Sequence, residues 1–151
     1  MLLYAIKDIS MIRIFSFFLF FLTIQLAFGQ KLIKSGNIAL EREQYSQAID
    51  YYQMQLDKKR NNKHIVAEAS FKTGFCYKKL SQPENAAPYF RQSIEYGYTD
   101  PLVHLYYGES LQMLQKYDSA LVEYELFKQL DPNHKLADKG IESIEFTFKS
   151  L

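Results

Sequence analysis

One pattern constrains this chain more than any other: Gly, then Ala twelve residues on, then an aromatic ring four residues beyond that. It occurs as Gly36, Ala48 and Tyr52, again as Gly74, Ala86 and Phe90, and again as Gly108, Ala120 and Tyr124. The second and third glycines are 34 residues apart; the first and second are 38 apart, which places a four-residue insertion in the loop around Lys58 to His64. A fixed period of this length marks a stack of like units, none of which can bury its apolar face alone. Glycine inside a helix costs about 1 kcal/mol relative to alanine, so its recurrence asks for a steric reason. The expectation is a helical hairpin whose two rods approach closely at the glycine. Alanine is the expected small partner across the contact, and the ring is expected to fill the gap to the next hairpin.

Helix ends fall where such hairpins need them. Asp100-Pro101 supplies an N-cap followed by proline at the first helical position. Gly97 stands where the second unit's second helix should stop, and Asp131-Pro132 closes the third unit. The spacing predicts helices near 30–42, 45–58, 64–80, 83–96, 101–114, 117–130 and 134–149, grouped as hairpins over 30–60, 64–97 and 101–132 with a cap over 134–150. In the cap, Ile141, Ile144 and Phe148 recur at helical spacing and suit packing on the last hairpin. Only 6 Gly and 4 Pro in 151 residues agree with an all-α chain and not with a turn-rich sandwich or barrel.

The pattern resembles the tetratricopeptide repeat, a 34-residue helical hairpin. In that family the small residue is at repeat position 8, aromatics at 11, 17 and 24, alanine at 20 and proline at 32. Here Tyr77 fills position 11 in the second unit only, Tyr45 and Tyr117 fill position 17 in the first and third, and Pro132 fills position 32 in the third. The second unit has Pro83 at position 17, and the first has Ala39 at position 11. The match covers about residues 30–134.

Ahead of the repeats stands an address. Arg13 precedes an apolar stretch from Ile14 to Phe28, and Ala27-Phe28-Gly29 puts small residues at −3 and −1 of a cut before Gln30. This is the layout of a secretory signal peptide over residues 1–29, with Met11 a possible true start. The stretch falls short of the roughly 20 apolar residues that span a bilayer, so cleavage is expected over retention as an inner-membrane anchor. One cysteine, Cys76, excludes an internal disulfide, and its place in a helix suggests a small buried hydrophobe.

Residues that would carry chemistry are not grouped. His64, His104 and His134 have no metal-ligand spacing, and neither a phosphate loop nor a nucleophile elbow occurs. A formal charge of +1 gives no electrostatic reason to expect nucleic acid. The expectation is a protein that is not an enzyme, with no cofactor, no metal and no small-molecule substrate. The basic run Lys58-Lys59-Arg60 with Lys63 is expected to be a solvated loop, the alternative being contact with an acidic partner or anionic lipid.

The resemblance also locates a binding groove. In the tetratricopeptide-repeat family the first helices line a concave face, and repeat positions 2, 5, 9, 12 and 13 tend to look onto it. Those positions give Ile33, Asn37, Phe71, Phe75, Leu102, Leu105, Glu109 and Met113. One subclass clamps a terminal carboxylate with Lys at position 5 and Asn at position 9. Asn37 matches, but Ile33 and Phe75 replace the needed Lys and Asn, so no such clamp is expected. The expected groove is apolar and aromatic, suited to an amphipathic helix or an extended apolar segment; the alternative is that these residues are ordinary core or are covered by the seventh helix.

The stretch LFKQLDPNHKLADKGIES and a leader ending in FGQ resemble the front of bacterial envelope proteins that join tetratricopeptide repeats to an OmpA-like domain and are associated with type IX secretion. That resemblance implies an exported scaffold binding a protein or peptide partner at the periplasm or the periplasmic face of the outer membrane. It does not extend to peptidoglycan binding. A self-associating structural protein, or a truncated paralogue of the multidomain envelope proteins, are the alternatives.

Overall fold

A computed structural model describes residue 16, residues 32–58 and residues 62–150. The signal-peptide expectation lies outside the described residues except for Ser16, as do residues 59–61 of the Lys58–His64 insertion. From residue 32 on the described chain is all-helical: α1 (32–41), α2 (Tyr45–Lys58), α3 (Lys63–Lys79), α4 (Pro83–Glu95), α5 (Leu102–Met113), α6 (Tyr117–Leu130) and α7 (Leu136–Lys149). Among the described residues no helix is long and apolar enough to cross a membrane.

Successive helices pair as hairpins, α1 with α2, α3 with α4 and α5 with α6, and each hairpin packs on the next. Local chemistry sets the ends. Asn62 caps α3 by accepting from the Ile65 N–H at 3.2 Å. Asp100 accepts from the Leu102 N–H at 3.0 Å and opens α5 as the Asp-Pro pair predicts. Gly97 sits at φ +84° just past α4, where the Tyr98 N–H reaches the Ser93 carbonyl and the Gly97 N–H the Ile94 carbonyl. This is a Schellman closure with glycine in the left-handed place.

The same closure ends every first helix of a hairpin, but without glycine. Glu43, Ser81 and Gln115 hold φ of 58°, 55° and 59°. Behind each, two backbone bonds tie the turn: Gln44 to Ala39 and Glu43 to Leu40; Gln82 to Tyr77 and Ser81 to Lys78; Lys116 to Leu111 and Gln115 to Gln112. Glu43, Ser81 and Gln115 occupy the same place in their units, so the elbow is part of the repeat.

The core explains the signature. A Cβ on Gly36 would lie 2.5 Å from the Tyr52 ring, one on Gly74 3.0 Å from Phe90, and one on Gly108 2.8 Å from Tyr124. The nearest partner of each glycine is therefore the aromatic ring of its own hairpin. Ala48, Ala86 and Ala120 are fully buried beside it, and in the third hairpin the Ala120 carbonyl, at 3.3 Å, also approaches the glycine.

Each ring also meets the following hairpin, as the sequence suggests. Lys72 stands over Tyr52 and Cys76 packs in the same cluster; Tyr106 lies 6.2 Å from Phe90; Gly140 and Ile144 close on Tyr124. Lys72, Tyr106 and Gly140 follow one another at 34-residue steps, so α7 docks in the register of α3 and α5. Pro132 lies exposed in the turn after α6. Burial pushes the Cys76 thiol up to about 12, which leaves it protonated at neutral pH and in keeping with a packing role.

Candidate functional site: the face of the first helices

The first helices of the units, α1, α3 and α5, together with α7, are tied edge to edge by polar side chains. Lys72 of α3 donates to Asn37 Oδ1 of α1 at 2.9 Å and pairs with Glu68 at 2.6 Å. Lys78 of α3 pairs with Glu109 of α5 at 2.6 Å. Gln112 of α5 donates to the Ser143 hydroxyl of α7 at 3.2 Å. The result is one rung between each neighbouring pair. Two rungs are braced from the hairpin interior: the Tyr52 hydroxyl donates to Asn37 at 2.9 Å, and the Tyr124 hydroxyl donates to Gln112 at 2.7 Å.

Between the rungs lie rings. Phe71 stacks on Tyr98 with centroids 4.4 Å apart, and Tyr106 sits centrally, 6.1 Å from Phe71 and 5.5 Å from Phe75. Lys78 stands 4.6 Å over Tyr106 and Lys79 5.4 Å over Phe75, both within cation–π range. Burial pushes the Tyr98 hydroxyl up to about 12, with Asp100 and Glu68 adding to it; burial also raises Tyr106, helped by Glu109 and Asp100. Both stay protonated as hydrogen-bond donors. An open cleft of about 530 Å³ runs across α3, α5 and α7, lined by Lys78, Glu109, Gln112, Met113, Ser143 and Thr147, with Ser81 of the second elbow and Tyr117 at its edge.

The residues expected in a groove are distributed unevenly here. Met113 is 55% exposed and lines the cleft with Glu109. Asn37 and Ile33 are half-buried, Asn37 held in its rung. Phe71 and Phe75 are half-buried in the ring cluster, and Leu102 packs against the core of the third hairpin. Leu105 is 1% exposed and belongs to that core, so it cannot meet a partner. The expected apolar lining is corrected as well: the face combines rings with a row of lysines, carboxylates and amides. Lys72, Lys78, Gln112 and Ser143 were missed because their partners lie 31 to 35 residues away in sequence. The 34-residue phase of Lys72, Tyr106 and Gly140 was a usable signal.

The histidines stand apart. His104 Nδ1 lies 2.7 Å from Glu123 inside the third hairpin, His134 meets the edge of Phe127, and His64 is exposed at the start of α3. Among the described residues no group of three His, Cys, Asp or Glu side chains could hold a metal ion.

Comparison with known proteins agrees with this architecture. The tetratricopeptide-repeat family model matches residues 68–96, most of the α3–α4 hairpin. Among curated proteins none matches the sequence. The chain is similar to the first tetratricopeptide-repeat domain of Spaghetti (RPAP3), solved bound to the HSP90 peptide SRMEEVD, at 21% identity over 80% of this chain and 93% of that one, with a TM-score of 0.71. It is similar to the Arabidopsis OM64 domain at 15% identity over 80% and 96%, TM-score 0.69. It is also similar to the second domain of human RPAP3, solved with the HSP70 peptide SGPTIEEVD, at 21% identity over 78% and 98%, TM-score 0.67. Likeness at these identities shows the fold. The chain carries a tetratricopeptide repeat at residues 68–96 and folds as a tetratricopeptide-repeat solenoid.

Proposed function

We propose that this chain is an exported tetratricopeptide-repeat scaffold that holds a segment of a protein partner against the face of its first helices, in a bacterial cell envelope. The observation that carries the binding reading is the open cleft across α3, α5 and α7, where Met113 offers apolar contact beside the half-exposed Lys78–Glu109 pair. Such a mixed lining suits an extended or helical segment with apolar anchors and a polar edge. Similar domains solved with peptides support it. The envelope setting rests on the leader at residues 1–29 and on the resemblance to envelope proteins associated with type IX secretion.

Two measurements test the two halves. Mass spectrometry of the protein recovered from its host should find a chain beginning at Gln30; a retained leader would refute processing. Recovery of partners from envelope extract should fall at least tenfold when Met113→Glu and Lys78→Glu are introduced together, with circular dichroism unchanged. Equal recovery from the folded variant would remove the cleft from the binding surface.

A further inference from the structure

The last helix is held differently from its counterparts. Helices α3 and α5 each pack on the preceding hairpin and on a second helix of their own. Their own-hairpin side carries Ser70 and Gly74 in α3, with Ser70 bonded to Gln92, and His104 and Gly108 in α5, with His104 paired to Glu123. The same places in α7 carry Asp138 and Glu142. Glutamate in the glycine's place leaves no seat for a ring, and Asp138 turns back to Lys128 of α6 at 3.0 Å. Helix α7 is thus a first helix fastened on one side only, to α5 and α6.

That one side is specific. Ala137 and Ile144 are its buried side chains, and Gly140 lies against the Tyr124 ring so closely that a Cβ would come within 2.5 Å. Tyr124 is clasped by Gly108 on the other side and tethered to Gln112. An occupant of this seat must bring glycine to Tyr124 with Ala and Ile three residues before and four after it, and α7 itself has that sequence. The connection to α6 is the short loop 131–135. Asp131 in it is extended (φ −135°, ψ 76°), and Pro132 keeps α6 and α7 from fusing into one rod.

We propose that α7 is exchangeable between two copies of this chain: each copy's α7 seats on the other's α5–α6 hairpin, giving a swapped dimer with the contacts of the monomer. Because those contacts are the same within and between chains, the balance is set by the loop and by concentration. A short loop gives α7 an effective local concentration of about millimolar, so dilute protein closes on itself and exchange follows opening at high concentration.

The test uses residues 30–151 carrying Cys76→Ala, Gln112→Cys and Ser143→Cys; the native Gln112 and Ser143 side chains touch across the seat. Light and heavy-isotope copies are mixed, unfolded in urea, refolded either dilute or concentrated, diluted equally, and treated with a short thiol crosslinker. Dilute refolding should give only links within one copy. Concentrated refolding should give covalent dimers whose linked peptides join position 112 of one isotope to position 143 of the other. Links confined to single copies at both concentrations would overturn the proposal, as would dimers joined 112 to 112 or 143 to 143. Because the cysteine variants could fold poorly, light scattering of the unmodified chain after the same refolding gives a second readout. It should show a dimer that Gly140→Val abolishes; a dimer that survives Gly140→Val would equally overturn the exchange.

Discussion

Replacing Gly108 by alanine sets two known effects against each other. In an ordinary helix the substitution stabilises by about 1 kcal/mol. At Gly108 the new Cβ would lie 2.8 Å from both Cδ1 and Cε1 of Tyr124 and 3.3 Å from the Ala120 carbonyl oxygen, whereas carbon atoms settle at roughly 3.5–4.0 Å. The ring has nowhere to go: its far edge lies against Gly140, its hydroxyl is bonded to Gln112 at 2.7 Å, and it is buried. Overpacking of a site that cannot relax costs about 1–3 kcal/mol, before the propensity gain is subtracted. The expected net effect is a loss of up to about 2 kcal/mol, or up to about 1 M in the urea midpoint for an m-value near 2 kcal/mol/M. Circular dichroism across a urea series reads it directly, and tyrosine fluorescence serves as a second probe because the chain has no Trp. In a Tyr124→Leu background the same glycine change should become neutral or stabilising, and that coupling isolates the ring contact. Gly74→Ala, with 3.0 Å of clearance to Phe90, should cost less than Gly108→Ala. A Gly108→Ala chain more stable than wild type would refute the ring-on-glycine account of the fold.

Two further substitutions follow from the backbone and the core. Ser81→Gly should stabilise by about 0.5–1 kcal/mol, because serine at φ 55° carries a left-handed penalty of about 1–2 kcal/mol that glycine escapes, and Gly97→Ala at φ +84° should cost about 1 kcal/mol; urea midpoints check both signs. Gln55 is fully buried with neither amide atom hydrogen-bonded, so Gln55→Met should raise stability by about 1 kcal/mol, and a fall in the thermal midpoint would count against that assignment.

The helices were legible because their punctuation is local. Asp100-Pro101 and Gly97 mark ends that hydrogen bonds three to five residues long enforce, and the spans expected at 45–58 and 117–130 coincide with α2 and α6. The phase of Gly36, Gly74 and Gly108 made the hairpins legible for the same reason: a missing side chain is a steric fact that no context reverses. What the glycine touches was less legible, since alanine at 20 and the ring at 24 both lie one or two turns along the second helix. The elbows at Glu43, Ser81 and Gln115 were hidden because no glycine announces the left-handed residue; the two backbone bonds around each turn impose it. The binding face was legible least. Leu105 and Met113 are both apolar and two helical turns apart, yet Leu105 is core and Met113, the last residue of α5, is exposed. The rungs join residues about one repeat apart, and a single sequence does not state such pairings.

The rungs on the face of the first helices have a mechanical consequence. Each one connects a helix only to its immediate neighbour, Asn37 to Lys72, Lys78 to Glu109 and Gln112 to Ser143, and none reaches across two units. The bend of the whole stack is then a sum of three separately set angles, in the manner of a jointed ruler. Cutting the Lys78–Glu109 joint would change the angle between the second and third hairpins and leave the other two as they were, so the span offered to a guest can be altered at one joint at a time.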